Sequence, residues 1–300
     1  MILTVKKKRK IWKWCKAMMF VAPALICYIV FEVVPIIDTI ELSFYEWDGA
    51  SSFMEFVGLD NYKEIFTNPI FWKALSHNIF WITFTILIPT VFGIVLAVLL
   101  SQNFVRGRLV FRVVFYMPCI VSMVAVSVIW NWILNPEFGI LNRILKAIGL
   151  GILAVDWLGN EKTVMIALLI AGSWVHYGFC MVVTMAALSG IDSSYMEVAR
   201  LEGANPIQTF VYVTMPLLKN TFTLLALNSL IGSFKVFEIV YMMTKGGPYN
   251  SSEVISTYMH RSAFKNSEFG LGSAIATVLA ILIAICSAIY MKVSEREADA

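Results

Sequence analysis

An all-α membrane protein with six transmembrane helices is the fold class this sequence predicts, on three observations. Hydrophobic residues make up 59% of the 300-residue chain and charged residues only 14%, against about a quarter charged in a soluble domain. Mean hydropathy is +0.77. The apolar residues come in unbroken runs, long enough to cross hydrocarbon at about 20 residues per helix.

The spans are predicted at about 17–37, 79–101, 113–134, 163–189, 217–243 and 271–291. The second (IFWITFTILIPTVFGIVLAVLLS) and sixth (LGSAIATVLAILIAICSAIYM) are the clearest. The first is interrupted by Pro23, Glu32 and Pro35, and the fifth carries Lys235 and Glu238. Ahead of the first span, residues 1–16 form a basic N-terminus holding Lys6, Lys7, Lys8, Arg9, Lys10, Lys13 and Lys16. Such a cluster marks the cytoplasmic side, and an even number of spans returns the chain there for a short tail at 292–300. The run after the basic cluster exceeds a usual signal-peptide core and lacks a clean small-x-small site, so cleavage is not expected. Residues 17–291 then form one membrane domain. The outer connection from Asp38 to Asn78 mixes Phe44, Tyr45, Trp47, Phe53, Phe56, Tyr62 and Phe66 with turn residues, which predicts a small packed unit rather than disorder.

Between the fourth and fifth spans lies a polar island at 190–216, placed in the cytoplasm by this topology. It repeats a helix-start grammar. Ser194 and Glu197 stand in capping-box spacing, and Asn205, Pro206 and Gln208 supply an N-cap, a first-turn proline and an N3 partner. Gly203, between the two helices, predicts a residue in positive φ. A short helix–turn–helix on one loop of a membrane protein presents a surface for a partner to grip.

The island resembles the EAA loop of permease subunits of ABC importers. That pattern is Glu-Ala-Ala, three residues, Gly, nine residues, then Ile-x-Leu-Pro. It reads here as Glu197-Val198-Ala199, with Arg200 following, then Gly203, then Val213-Thr214-Met215-Pro216. Phe56-Val57-Gly58-Leu59-Asp60-Asn61-Tyr62, Asn135-Pro136-Glu137-Phe138-Gly139-Ile140-Leu141-Asn142 and Thr244-Lys245-Gly246-Gly247-Pro248 are similar to segments of the carbohydrate-uptake branch, the maltose, glycerol-phosphate and multiple-sugar permeases. The resemblance runs from about Phe20 to Tyr290.

It implies a type I ABC importer permease fold in a bacterial inner (plasma) membrane, with both termini cytoplasmic. It also implies a second homologous permease subunit, a cytoplasmic ATPase dimer seated on the loop and an extracellular solute-binding protein that delivers a sugar or oligosaccharide. The chain would then be no enzyme. Consistently, it has no Gly-x-x-x-x-Gly-Lys-Ser/Thr loop to cradle nucleotide phosphate. ATP, the one nucleotide such a system needs, falls to the partner ATPase.

Other chemistry is sparse. The five cysteines, Cys15, Cys27, Cys119, Cys180 and Cys286, stand singly and read as packing residues. No His/Cys/carboxylate cluster predicts a metal. A net charge of +3 without interleaved aromatic and basic residues gives no nucleic-acid footprint; the basic end faces anionic membrane lipid instead. His176 reads as a hydrogen-bonded packing residue. Lys235 and Glu238, three apart, are expected on one helical face as an ion pair. A sugar passage needs hydrogen-bonding groups and flat aromatics. Trp174 and Tyr177, flanked by Ser173 and His176 on the fourth span, and Asn228, Ser229 and Phe234, with Ser233, on the fifth offer both. A non-sugar solute such as a polyol or glycerol phosphodiester is the alternative import reading. An ion-coupled secondary transporter is the alternative of another class, with Glu238 as its only midplane carboxylate.

The predicted topology places Glu197 inside and Asn61, Asn142 and Pro248 outside. Single cysteines at positions 197 and 248, in a chain lacking the native thiols, test it. An impermeant reagent should label 248 in intact cells, and 197 only after lysis.

Overall fold

The computed structural model describes Trp12, Trp14 and residues 18–102 and 105–299, with side chains as far as Ser294. The basic residues Lys6, Lys7, Lys8, Arg9, Lys10, Lys13 and Lys16, along with Cys15, lie outside the described residues. The helices are α1 (Met18–Leu42), α2 (Asp60–Thr67), α3 (Pro69–Ser101), α4 (Arg108–Ile120), α5 (Met123–Ile133), α6 (Ile140–Ala147) and α7 (Val164–Ser189). They continue as α8 (Ser193–Leu201), α9 (Pro206–Leu217), α10 (Lys219–Phe234), α11 (Glu238–Met243), α12 (Ile255–His260) and α13 (Phe269–Asp299). Strands β1 (Tyr45–Glu46) and β2 (Glu55–Phe56) form an antiparallel hairpin with Tyr45 opposite Phe56.

Four helices, α1, α3, α7 and α13, are each long and apolar enough to cross a membrane. Two further candidates are bent pairs, α4 with α5 at 100° and α9 with α10 at 69°. The third predicted span is therefore two short helices. At 13 and 11 residues, each reaches only about 16–20 Å at 1.5 Å per residue, short of a roughly 30 Å core. The fifth predicted span, 217–243, also differs: α10 ends at Phe234, and 238–243 form the separate helix α11. Hydropathy averages over a window and registers no change of backbone direction.

The chain divides into two units, residues 1–65 with 262–277 and residues 66–261 with 278–300. In the first, Asn61 is buried, and its amide donates to the carbonyls of Ser43 and Tyr45, tying α2 to the hairpin. The Phe269 amide donates to the Trp47 carbonyl, and their rings pack 5.7 Å apart. The aromatic connection is thus ordered, but only as far as Ile65 does it belong to this unit; Phe66 and the residues after it belong to the second, and Phe53, Phe56 and Phe66 remain exposed.

In the second unit α3 and α7 are the central pair. Asn68 caps α3 by accepting from the Ile70 amide, with Pro69 at the first helical position. Gly93 lets the two backbones close: a Cβ there would stand 2.7 Å from Cβ of Cys180. One apolar cluster joins Trp81 to Val164, Met165, Leu168, Leu169 and Ala171, and on to Ile239, Val240 and Val254. Another joins Leu96, Ala97 and Leu100 to Met181. Pro89 lies inside a widened turn of α3, Ile86–Thr90, since proline offers no amide to an ordinary helical ladder.

Asn78 of α3 is fully buried and braces two other elements. Its amide donates to the Ser233 carbonyl at 2.7 Å, and its oxygen accepts from the Ile255 amide at 3.0 Å. Asn78→Leu keeps the volume but strands both backbone groups, at about 1–3 kcal/mol each. Thermal unfolding in detergent should show the variant markedly less stable than Asn78→Asp, which retains an acceptor.

Candidate functional site

A cavity of about 200 Å³ opens among α3, α7 and α10, at the break between α10 and α11. Trp81 and Thr85 come from α3, Met123 from α5, and Gly172, Ser173 and His176 from α7. Asn228, Ser229, Gly232 and Ser233 come from α10, with Lys235, Val236 and Glu238 at the break itself. His176 Nε2 lies 3.0 Å from the Ser229 hydroxyl, which lies 3.4 Å from the Thr90 hydroxyl. Thr90 in turn donates to the Thr85 carbonyl and accepts a long bond from the Cys180 thiol. The histidine is thus hydrogen-bonded, as expected, and it also lines the cavity.

The break corrects the expected ion pair. Lys235 is the C-cap of α10 and Glu238 opens α11, so the two do not share a helical face. An ion pair is formed elsewhere, between Arg261 and Glu253. Lys235 and Glu238 instead both line the cavity, and both are exposed. Asn228 is exposed there too and makes no side-chain hydrogen bond among the described residues. Two of the carbonyls freed by the break are occupied: Ser233 takes the Asn78 amide and Phe234 takes the Ser256 hydroxyl.

Of the residues expected on a sugar path, Asn228 and Ser229 meet at this cavity, and three do not line it. Trp174 packs edge-on against Trp130, and Tyr177 packs against Phe92 and Phe115. Each stands one residue, about 100° of helix, beyond Ser173 and His176, which do face the cavity. Phe234 is buried beside the wall. Trp81, Thr85 and Met123 escaped the sequence reading, because their place depends on how α3 and α5 pack.

The polar island forms a second region. α8 is capped by Asp192, not by Ser194: the Asp192 carboxylate accepts from the Ser194 amide at 2.9 Å. That bond, with one from the Ser194 hydroxyl, holds the Asp192 carboxyl below its ordinary range. Glu197 is thereby free of a capping box. The second cap stands as expected, with Asn205 and Gln208 exchanging bonds of 2.9 Å. Gly203 has φ of +81° and open space around it. Glu197 and Arg200 line a cavity of about 570 Å³ with Ser101, Gln102, Thr209 and Thr214. Ala199 is buried, Val198 is exposed, and Pro216 follows a widened turn at Phe210–Thr214. Leu201 is 88% exposed and Ile207 75%. Both apolar side chains thus stand in the open on a turn whose two helices are each capped locally.

The Thr244–Pro248 motif forms a tight turn with Lys245 and Gly246 in positive φ. Beside it Glu253, 1% exposed, pairs with Arg261 at 3.0 Å, and Arg261 also donates to Asn250 at 2.7 Å. His77 Nδ1 lies 2.7 Å from the Glu253 carbonyl. Glu253 was not singled out from sequence, although an acid five residues past a Gly-Gly-Pro turn is a usable signal. Among the described residues no His/Cys/Asp/Glu group could hold a metal.

Bent and broken helices, a cavity of mixed polar and apolar lining and an exposed two-helix turn thus occur together in this chain. The chain belongs to the family of binding-protein-dependent transport system inner membrane components, which matches residues 89–299. It is 36% identical over 275 residues to the probable ABC transporter permease protein YurN of Bacillus subtilis, covering 91% of this chain and 94% of that one. It is 29% identical over 272 residues to the lactose transport system permease protein LacF of Rhizobium radiobacter, covering 90% of each. Its fold matches a chain of a bacterial alginate ABC transporter, solved in complex with an alginate pentasaccharide-bound periplasmic protein. The TM-score is 0.83 at 23% identity, over 97% of this chain and 96% of that one.

Because Lys235 and Glu238 are not partners, Lys235→Met should leave no buried carboxylate stranded. The variant should reach the membrane at normal abundance and unfold within about 0.5 kcal/mol of the parent, as exposed substitutions do. Membrane yield and a detergent melting curve check this.

Proposed function

We propose that this ABC importer permease passes a sugar or oligosaccharide through the cavity at the α10–α11 break. The observation that carries the reading is the chemistry of that wall. Asn228, Lys235 and Glu238 offer donors and acceptors that other side chains leave free, as replacing water on sugar hydroxyls requires. Small-molecule pockets usually measure about 300–1,000 Å³, so a 200 Å³ cavity in one subunit suits one wall of a passage completed by a second, homologous permease. The likeness to a lactose permease and to an alginate transporter supports a carbohydrate over a polyol or a phosphodiester.

In this proposal the bent pairs α4–α5 and α9–α10 complete six spans, both termini are cytoplasmic, and an extracellular binding protein delivers the sugar. A separate ATPase dimer docks on the island through Glu197, Val198, Ala199 and Arg200. Gly203 and Pro216 fix the angle of the docking helix. Support comes from the family's binding-protein dependence and from the exposed apolar residues of α8 and α9.

Two measurements test the reading. Gly203→Val places a β-branched residue at positive φ, a strain on the order of 1–2 kcal/mol. It should insert normally yet lose uptake and retain less ATPase on co-purification; parental uptake refutes the docking role. In proteoliposomes with ATPase, second permease and binding protein, sugar should accumulate only with internal ATP. Asn228→Ala should cut that uptake about two- to tenfold, the worth of one hydrogen bond of about 0.5–1.5 kcal/mol. Accumulation driven by an ion gradient alone would instead establish the secondary transporter.

A further inference from the structure

Helix α6 is inside out. Its buried residue is a polar one: Asn142, 4% exposed, donates to the Val155 carbonyl at 2.9 Å and accepts from the Trp157 indole at 2.8 Å. Ile140, Ile144 and Ile148, on the opposite side at a spacing of four, are 50–63% exposed. The stripe runs on into the following turn, where Ile152 is 89% exposed. Eight residues span only about 12 Å, so α6 cannot cross the bilayer. Water does not favour such a stripe either.

Two further features say what covers it. Arg143 and Lys146 flank the isoleucines and are exposed, and α6 itself carries no acid. Glu137 lies ahead of the helix, and the Asp156 carboxylate is occupied by the Gly159 amide. α6 also packs against the end of α5, whose last turn carries Trp132 at 68% exposure. With α4–α5 read as one span, as proposed above, an exposed tryptophan at its end falls at the depth of the headgroup region. An apolar stripe edged by cations at that depth has the pattern of a helix lying in the interface plane.

We propose that α6 and its trailing turn lie flat in the headgroup region, with the isoleucines at the acyl boundary and Arg143 and Lys146 on phosphates of anionic phospholipid. Asn142 locks the helix in this orientation from its dry side. The chain thereby gains a lipid-reading surface separate from both the cavity and the polar island.

The test uses the full chain, its five native cysteines replaced, carrying Ile144→Cys or the control Glu161→Cys and labelled with an environment-sensitive fluorophore. Vesicles of phosphatidylcholine, with or without phosphatidylglycerol, contain brominated lipid or face aqueous iodide. Bromolipid should quench the label at 144 more strongly than iodide, and the order should reverse at 161. Adding Arg143→Gln and Lys146→Gln should weaken bromolipid quenching at 144 in phosphatidylglycerol vesicles and leave it unchanged in pure phosphatidylcholine. Iodide quenching at 144 equal to that at 161 would show the helix in water and overturn the proposal. Shielding from both quenchers would show a protein cover and overturn it equally, and no effect of the double substitution would remove the role of phosphate.

Discussion

Inside hydrocarbon a freed backbone amide or carbonyl finds no water, and that constraint organises this chain. At three breaks among the described residues, a nearby group takes over some of the orphaned bonds. At the α4–α5 bend the Ser122 hydroxyl accepts from the Ala125 amide. At the α9–α10 bend the Leu218 amide folds back onto the carbonyls of Thr214 and Met215. At the α10–α11 break Asn78 and Ser256 reach across from other elements. The last case is the most consequential, because its partners are more than 20 residues away and hold three elements in register.

Breaks secured in this way leave room for function. With the carbonyls of Ser233 and Phe234 occupied, the wall at the α10–α11 break can expose Lys235 and Glu238 without unravelling. A continuous helix would have paired those two charges and closed the wall. The apolar cluster of Trp81 with Ile239 and Val240 anchors the far side of the break, so the cavity is framed by packing as well as by hydrogen bonds.

The polar island is held by different means and keeps Leu201 and Ile207 exposed. Local bonds suffice: Asp192 onto Ser194, and Asn205 with Gln208. Gly203 turns the chain between the two helices without a Cβ in the way. Because Asp192 takes the cap, Glu197 is left facing a cavity with Arg200 rather than bound to its own helix start. A surface held by its own caps can present itself to a partner without rearranging.

Membrane class, the approximate place of the spans and the grammar of the island were legible in the sequence. Each rests on local quantities: run length, charge at the ends of runs, and cap residues within three positions of one another. Asn205, Gln208 and Gly203 stand as read for that reason. The cap at Asp192 rather than Ser194 shows the limit even there, since two carboxylate-or-hydroxyl candidates within two residues compete and only backbone geometry selects. The break at Lys235, the brace from Asn78 and the turning of Trp174 and Tyr177 away from the cavity belong to tertiary structure. Hydropathy and spacing describe one helix at a time, whereas these features depend on which neighbour supplies a hydrogen bond and which face the packing covers.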